Sequence, residues 1–216
     1  MKTRLNRSIL IALLSFALFG CPGAQPKYLA KPAVVSADGT YIHVASGMTF
    51  PIAVGDFQRV QVLRYDEESL NVSAGYNWRA PAGLVAATIY VHPAPPLVSI
   101  GSPPEVVAAA RAKLMNDEFE LQKRQILRVH SGGRLIQESV VSLSQGTTTY
   151  AGKMATFEFE ENFAGRRQPV QSHIFLFSYV DGKWTVKYRF SHPLSLDAAK
   201  EIDTFMKNLR WTFGGS

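Results

Sequence analysis

From residue 57 onward the chain sets apolar and polar side chains in short alternating runs broken by Gly, Pro, Asn and Asp. A period of two marks strands with one buried face. Residues 57–65 and 70–78 read as two such strands, joined through Asp66-Glu67-Glu68-Ser69 as a hairpin connection, and the β-branched stretch 85–91 reads as a third. The proline-rich segment 92–105 then delivers a helix over about 103–129. Ser102 with Glu105 three residues on has the spacing of a capping box, and Pro103 suits a first helical position, where its missing N–H costs nothing. Gly132-Gly133 closes that helix, and strands follow at about 135–143 and, after the turn-prone Gln145-Gly146, at 150–160.

The strongest pattern spans residues 173–190, "HIFLFSYVDGKWTVKYRF". Its central Asp181-Gly182 tolerates the positive φ of a two-residue hairpin turn, which sets Val180 opposite Lys183. One face then holds His173, Phe175, Phe177 and Tyr179 against Phe190, Tyr188, Val186 and Trp184. The other holds Ile174, Leu176 and Val180 against Arg189, Lys187 and Lys183. A one-residue slip would scatter the aromatics over both faces, so the pattern pins the register. The aromatic face is expected to be core and the mixed face only partly covered. A last helix reads over about 196–209, with Ser195 as N-cap, Asp197 in the first turn and Ala198, Ile202, Phe205 and Leu209 as an apolar stripe. The expected class is α+β: an antiparallel sheet of about six to eight strands with two main helices packed on it.

The first residues follow a different rule. Lys2, Arg4 and Arg7 precede an apolar run, residues 9–19, of eleven residues, which suits a signal peptide and falls short of the ~20 residues of a membrane span. Leu18-Phe19-Gly20-Cys21 places an aliphatic residue, a small residue and the chain's single cysteine in order. This resembles the lipobox of bacterial lipoproteins, although Phe19 stands where a small residue is usual. The resemblance implies cleavage before Cys21 and acylation of that cysteine. Each buried CH₂ adds about 0.8 kcal/mol, so two or three acyl chains anchor firmly. In enteric-type lipoproteins Asp after the cysteine retains the protein at the inner membrane; Pro22 stands there, so the implied place is the outer membrane, facing the periplasm. The expected organisation is a signal peptide over 1–20, the acylated Cys21 with a flexible tether over 21–38, and one globular domain over 39–216. A lone cysteine leaves no disulfide to help, so the core alone must stabilise the domain.

Charge narrows the partners. The formal +6 includes the three cations of the leader, so the mature chain carries only +3 and shows no run of five like charges. A nucleic-acid partner is not expected. The ending "KWTVKYRFSHP" followed by "EIDTFMKNL" is similar to the strand–Pro–helix close of the PsbP-like superfamily over residues 170–211. That resemblance implies a PsbP-like sandwich and an accessory or binding role without catalysis, and it transfers no functional residue.

Candidate chemistry is sparse. His43, His92, His130, His173 and His192 lack metal-ligand spacing, and His173 reads as a hydrogen-bonded core or edge histidine. Glu158, Glu160 and Glu161 could supply a carboxylate pair for a hydrolase, against a strand with Phe157 and Phe159 inward and solvated glutamates outward. The hydrolase alternative requires one of them in a cleft with a raised pKa. Arg166-Arg167 reads as a solvated loop that could meet anionic groups, and Asn71-Val72-Ser73 as an incidental glycosylation match. No catalytic, cofactor-binding or metal residue is assigned. The leading expectation is a non-catalytic module that binds an envelope protein or small ligand through the part-covered sheet face or the 92–104 loop. An envelope hydrolase or a structural spacer are the alternatives.

Overall fold

The computed structural model describes residues 26–98 and 100–213; the leader, Cys21 and residues 22–25 lie outside the described residues. In chain order the elements are β1 (Tyr28–Val34), β2 (Tyr41–Ile42), β3 (Thr49–Phe50), β4 (Ala53–Val54), β5 (Phe57–Asp66), β6 (Val72–Ala80), β7 (Gly83–Pro93), α1 (Pro104–Val129), β8 (Arg134–Gln145), β9 (Thr148–Phe163), β10 (Arg166–Val180), β11 (Trp184–Pro193) and α2 (Ala199–Asn208). One nine-stranded antiparallel sheet dominates, in the order β1-β5-β6-β7-β11-β10-β9-β8 with β4 beside β5, and β2 pairs with β3 apart from it. The fold is α+β. All seven strands expected from residue 57 onward are present, and β1 and β4 carry the sheet beyond the expected six to eight.

Each sheet face has its own core. Phe57, Tyr76, Tyr188 and Phe190 meet Ile202, Phe205 and Leu209 of the α2 segment on one face. Ala155, Phe157, Val170, Ile174 and Leu176 meet Phe119 and Ile126 of α1 on the other. At ~25 cal/mol per Å² of apolar area removed from water, both layers stabilise the sheet between them. The apolar stripe of the last helix is buried as its spacing predicts: Ala198, Ile202, Phe205 and Leu209 all face the core.

Four expectations are corrected. The segment read as tether over 21–38 contains β1, whose residues pair antiparallel with β5. Lys31 and Pro32 hid it, yet a sheet edge needs no N–H from proline on its outer side. The capping box does not form: Pro103 is the N-cap with no side-chain cap, and Pro104 begins α1. The last helix starts at Ala199 rather than near 196, with the Asp197 carboxylate accepting from the Ala199 N–H at 3.1 Å in place of a Ser195 cap. The hairpin keeps the expected register from His173↔Phe190 to Phe177↔Val186, then shifts so that Val180 faces Trp184. Tyr179 takes φ +60°, which inserts one residue and exchanges two side chains between faces. Val180 therefore joins the α2-side core, while the Tyr179 hydroxyl donates to the Pro95 carbonyl and its ring lies under the Arg111 guanidinium.

Candidate ligand-binding site

Along β11 the side chains alternate: Trp184, Val186, Tyr188 and Phe190 enter the α2-side core, which leaves Lys187, Arg189 and Ser191 on the α1 face. Glu118 is the first of the buried residues of α1, followed by Phe119, Gln122 and Ile126, a stripe that covers β9 and β10 and ends at β11. There the contact turns polar. Lys187 Nζ donates to Gln122 Oε1 at 2.9 Å and sits 4.1 Å above the Tyr90 ring. Its burial holds Lys187 down to about 8, against the opposing pull of the Glu118 carboxylate. His92 Nε2 lies 3.3 Å from Glu118 Oε1 without the angle of a hydrogen bond, so the buried carboxylate has no hydrogen-bond donor among the described residues.

Beside α1 a cavity of about 220 Å³ opens on this face over the strands from β7 to β1. Its floor comes from four strands: Ala86, Thr88 and Tyr90, then Ser73, then Gln61, Leu63 and Tyr65, then Pro32. Its wall is made by His130 just beyond α1, Glu161 and Phe163 of β9, and Arg189 and Ser191 of β11. The lining mixes apolar groups (Pro32, Leu63, Ala86 and Phe163) with hydroxyls, Gln61 and the charged wall, the make-up of a small-molecule site.

Arg189 organises the wall. One terminal guanidinium nitrogen donates to His130 Nε2 at 3.1 Å, and its Nε reaches Ser172 Oγ at 3.5 Å. Arginine only donates, so His130 Nε2 must be the acceptor and its proton sits on Nδ1. That nitrogen points toward Glu161 Oε2, 3.8 Å away. Burial, with Arg189 adding to it, pushes His130 down to about 4, so the ring is neutral at pH 7; it stacks on Phe159 at 3.7 Å. Burial also raises the Glu161 carboxyl, and Arg189 only partly offsets this. Among the described residues no carboxylate lies within 4 Å of the Arg189 guanidinium. Tyr65 and Ser73 hydroxyls meet at 3.0 Å across the floor, and burial raises both Tyr65 and Tyr90.

The three glutamates part company. Glu158 pairs with Arg134 at 2.7 Å and Glu160 with Arg167 at 3.9 Å on the face opposite the phenylalanines. Glu161 falls on the phenylalanine face and enters the cavity wall. Arg166 and Arg167 begin β10 rather than forming a loop, because the turn is made earlier, by Ala164 at φ +54° and Gly165 at φ +88°. His173 is a hydrogen-bonded histidine between Thr156 (3.0 Å) and His192 (3.2 Å), on the sheet face opposite the cavity, where it pairs with Phe190. His43 is tied to Ser46 and Ser69. Ser73 is buried in the cavity floor, so the Asn71 match lacks an open hydroxyl. Cys21 lies outside the described residues. Arg189 was visible in the sequence only as one of three basic residues on the mixed face; Tyr65, Ser73 and Tyr90 carried no signal, since long-range pairing alone brings them together. The cavity floor runs from Tyr65, Ser73 and Tyr90, near the end from which the 92–104 loop leaves, to Ala86 further along β7. Among the described residues no three His, Cys, Asp or Glu side chains converge as metal ligands, and no helix is long and apolar enough to cross a membrane. No known family model matches the chain, and comparison with curated proteins finds no relative.

Proposed function

We propose that this chain is a lipid-anchored envelope lipoprotein, acylated at Cys21, whose domain is a non-catalytic binding module for a small anionic ligand. The outer membrane, facing the periplasm, is the proposed location, from Pro22 after the cysteine. The observation that carries the binding reading is the Arg189 guanidinium in the wall of the 220 Å³ cavity, held by a neutral His130 and free of any carboxylate partner among the described residues. A part-buried cation above a floor that includes Pro32, Leu63 and Ala86 fits a carboxylate on a short, partly apolar body, and the volume is below the ~300 Å³ at which drug-sized pockets begin. A PsbP-like relationship is part of the proposal, supported by an antiparallel sheet with a helix on each face and by the strand–Pro–helix close of β11, Pro193 and α2.

A second reading has one observation in its favour. Glu161 is a carboxyl raised by burial inside a cavity, the property an envelope hydrolase would need for proton transfer. Its partner is missing, because Glu158 and Glu160 face the other way and Glu161 is the only carboxylate lining the cavity among the described residues.

Thermal shift with octanoate, and with neutral octanamide as control, tests the binding reading. Octanoate is expected to raise Tm, octanamide to do little, and Arg189→Gln to abolish the octanoate shift. Glu161→Gln removes the negative charge nearest the cation and is expected to tighten binding. The binding reading fails if octanoate leaves Tm unmoved. Loss of a hydrolytic activity on Glu161→Gln would favour the enzyme. Membrane fractionation tests the anchor: Cys21→Ser is expected to release the protein.

A further inference from the structure

Among the described residues the three most exposed large hydrophobic side chains are Ile100 (94 %), Val44 (91 %) and Val98 (80 %). They belong to two separate loops, and both loops lie at the same end of the sheet. The 92–104 loop leaves β7 where Pro93 faces Trp184, and the Ala94 N–H donates to the Lys183 carbonyl of the hairpin turn. The turn holding Val44 is fixed to that end too: His43 Nε2 bonds the Ser69 carbonyl, and its ring meets Trp184 edge-on at 5.3 Å. The first turns of α1 rise from the same end with Val106 half exposed, and the buried residues of that helix begin only at Glu118. Scattered exposed aliphatics are ordinary; three from two loops at one end are a surface.

The chain enters the domain at this end. Tyr28 pairs with Asp66, and the Glu67 N–H donates to the Lys27 carbonyl, so β1 starts beside the 66–71 turn. Cys21 lies six positions before Lys27, a reach of at most about 22 Å. The strands from β1 to β7 are three spacings apart, about 14 Å. An acyl anchor on Cys21 therefore cannot place this end far from the lipid surface. We infer that Val44, Val98 and Ile100 insert into the bilayer interface as a second, non-covalent contact that orients the domain. The occupant of this surface is lipid. The inference rests on the reading of Cys21 as acylated. Three aliphatic side chains add too little apolar area to capture a free protein, but an anchored one presents them to lipid at high effective concentration.

The single cysteine makes a clean test. With Cys21 acylated, Ile100→Cys and Val44→Cys each carry one free thiol, and Asp56→Cys, in the β4–β5 turn at the opposite end, serves as control. Each full-length variant is labelled with an environment-sensitive fluorophore in vesicles of phosphatidylethanolamine and phosphatidylglycerol, and quenched with headgroup-region nitroxide lipid. Fluorescence at positions 44 and 100 is expected to fall by about half or more, with position 56 unquenched. If all three are unquenched while the protein stays with the vesicles, the inference is overturned and the anchor stands. A crosslink from the thiol of the Ile100→Cys variant to a protein, without quenching, assigns the surface to a protein partner and overturns it too. Two labelled thiols per chain and protein in the supernatant mean that Cys21 is not acylated, and the inference falls with that reading.

Discussion

Among single residues, His173 and His130 tie the fold to pH. His192 Nδ1–H donates to the Pro193 carbonyl at 3.0 Å, which leaves its Nε2 to accept from His173 Nε2–H at 3.2 Å. His173 Nδ1 then accepts from the Thr156 hydroxyl at 3.0 Å. Protonating His192 would set its Nε2–H against that of His173, so the bond between the rings needs a neutral His192, while a protonated His173 would have to turn the Thr156 hydroxyl away toward Met154 Sδ. Burial, then the neighbouring His192, pushes His173 down to about 4, matching His130, where burial and Arg189 act. The unfolded chain titrates both near 6.5. A lowered histidine means the native state binds fewer protons, so this stability is complete above about pH 6.5 and is lost as pH falls toward 4. The slope is about 1.4 kcal/mol per pH unit for each histidine. Glu161 works the other way: a raised carboxyl favours the folded state on acidification. Urea unfolding from pH 7.5 to 4.5 is expected to show this fall, and His173→Gln to flatten it by about one proton's worth. An unchanged slope in His173→Gln would remove the histidine pair from the account.

The strands show what a single element asks of its neighbours. Gly152 of β9 sits under the Phe177 ring, and a Cβ there would meet Phe177 Cδ1 at 2.5 Å and the Leu176 carbonyl at 2.7 Å. Neither backbone nor a packed core ring yields easily, so Gly152→Ala is expected to cost about 1–3 kcal/mol in urea unfolding, with the fold retained. No cost would mean that β9 and β10 can slide apart at that point. Nothing around Gly152 in the sequence announces this contact, because the phenylalanine that requires it lies on the next strand. The same division runs through the whole fold. Strands 57–65, 85–91 and 135–143 were legible because their apolar spacing is local, helix 103–129 from Pro103 at its start and Gly132-Gly133 at its end, and the hairpin register followed from which face could be aromatic. β1 was not, since an edge strand tolerates Lys31 and Pro32 and so carries no alternation. The Tyr179 bulge was not, since a positive φ at tyrosine is chosen by the Pro95 carbonyl and Arg111 rather than by its neighbours in sequence. Of the cavity, the part-covered face was legible from Lys187 and Arg189 opposite the aromatics, and Glu161 was singled out for its type. Their meeting with Tyr65, Ser73 and His130 needed the order of the strands.

Across the molecule, one sheet serves two cores, and the probes of folding are divided between them. Trp78, Trp184 and Trp211 all belong to the α2-side core. Helical signal comes mainly from the α1 side, because α1 has 26 residues and α2 only 10. Of the two strands of the α1-side core, β10 is paired with β11, which buries Val186, Tyr188 and Phe190 on the other face, and β9 with β8, which buries Leu143 there. Removing α1 would expose Ile174 and Leu176 between residues that remain packed on the α2 side. The layers should therefore be lost together. Far-UV circular dichroism and tryptophan fluorescence are expected to trace one coincident urea transition. Phe119→Ala, which removes a fully buried ring remote from every tryptophan-bearing contact, is expected to lower both curves equally, by about 3–5 kcal/mol. If helical signal is lost first while fluorescence holds, α1 is an independently melting layer. That outcome bears on binding as well, because His130, one residue past α1, is the ring that holds Arg189 in the cavity wall. A coincident transition makes an intact cavity a property of the whole fold, so a ligand that grips Arg189 stabilises both cores; a split one confines its effect to α1.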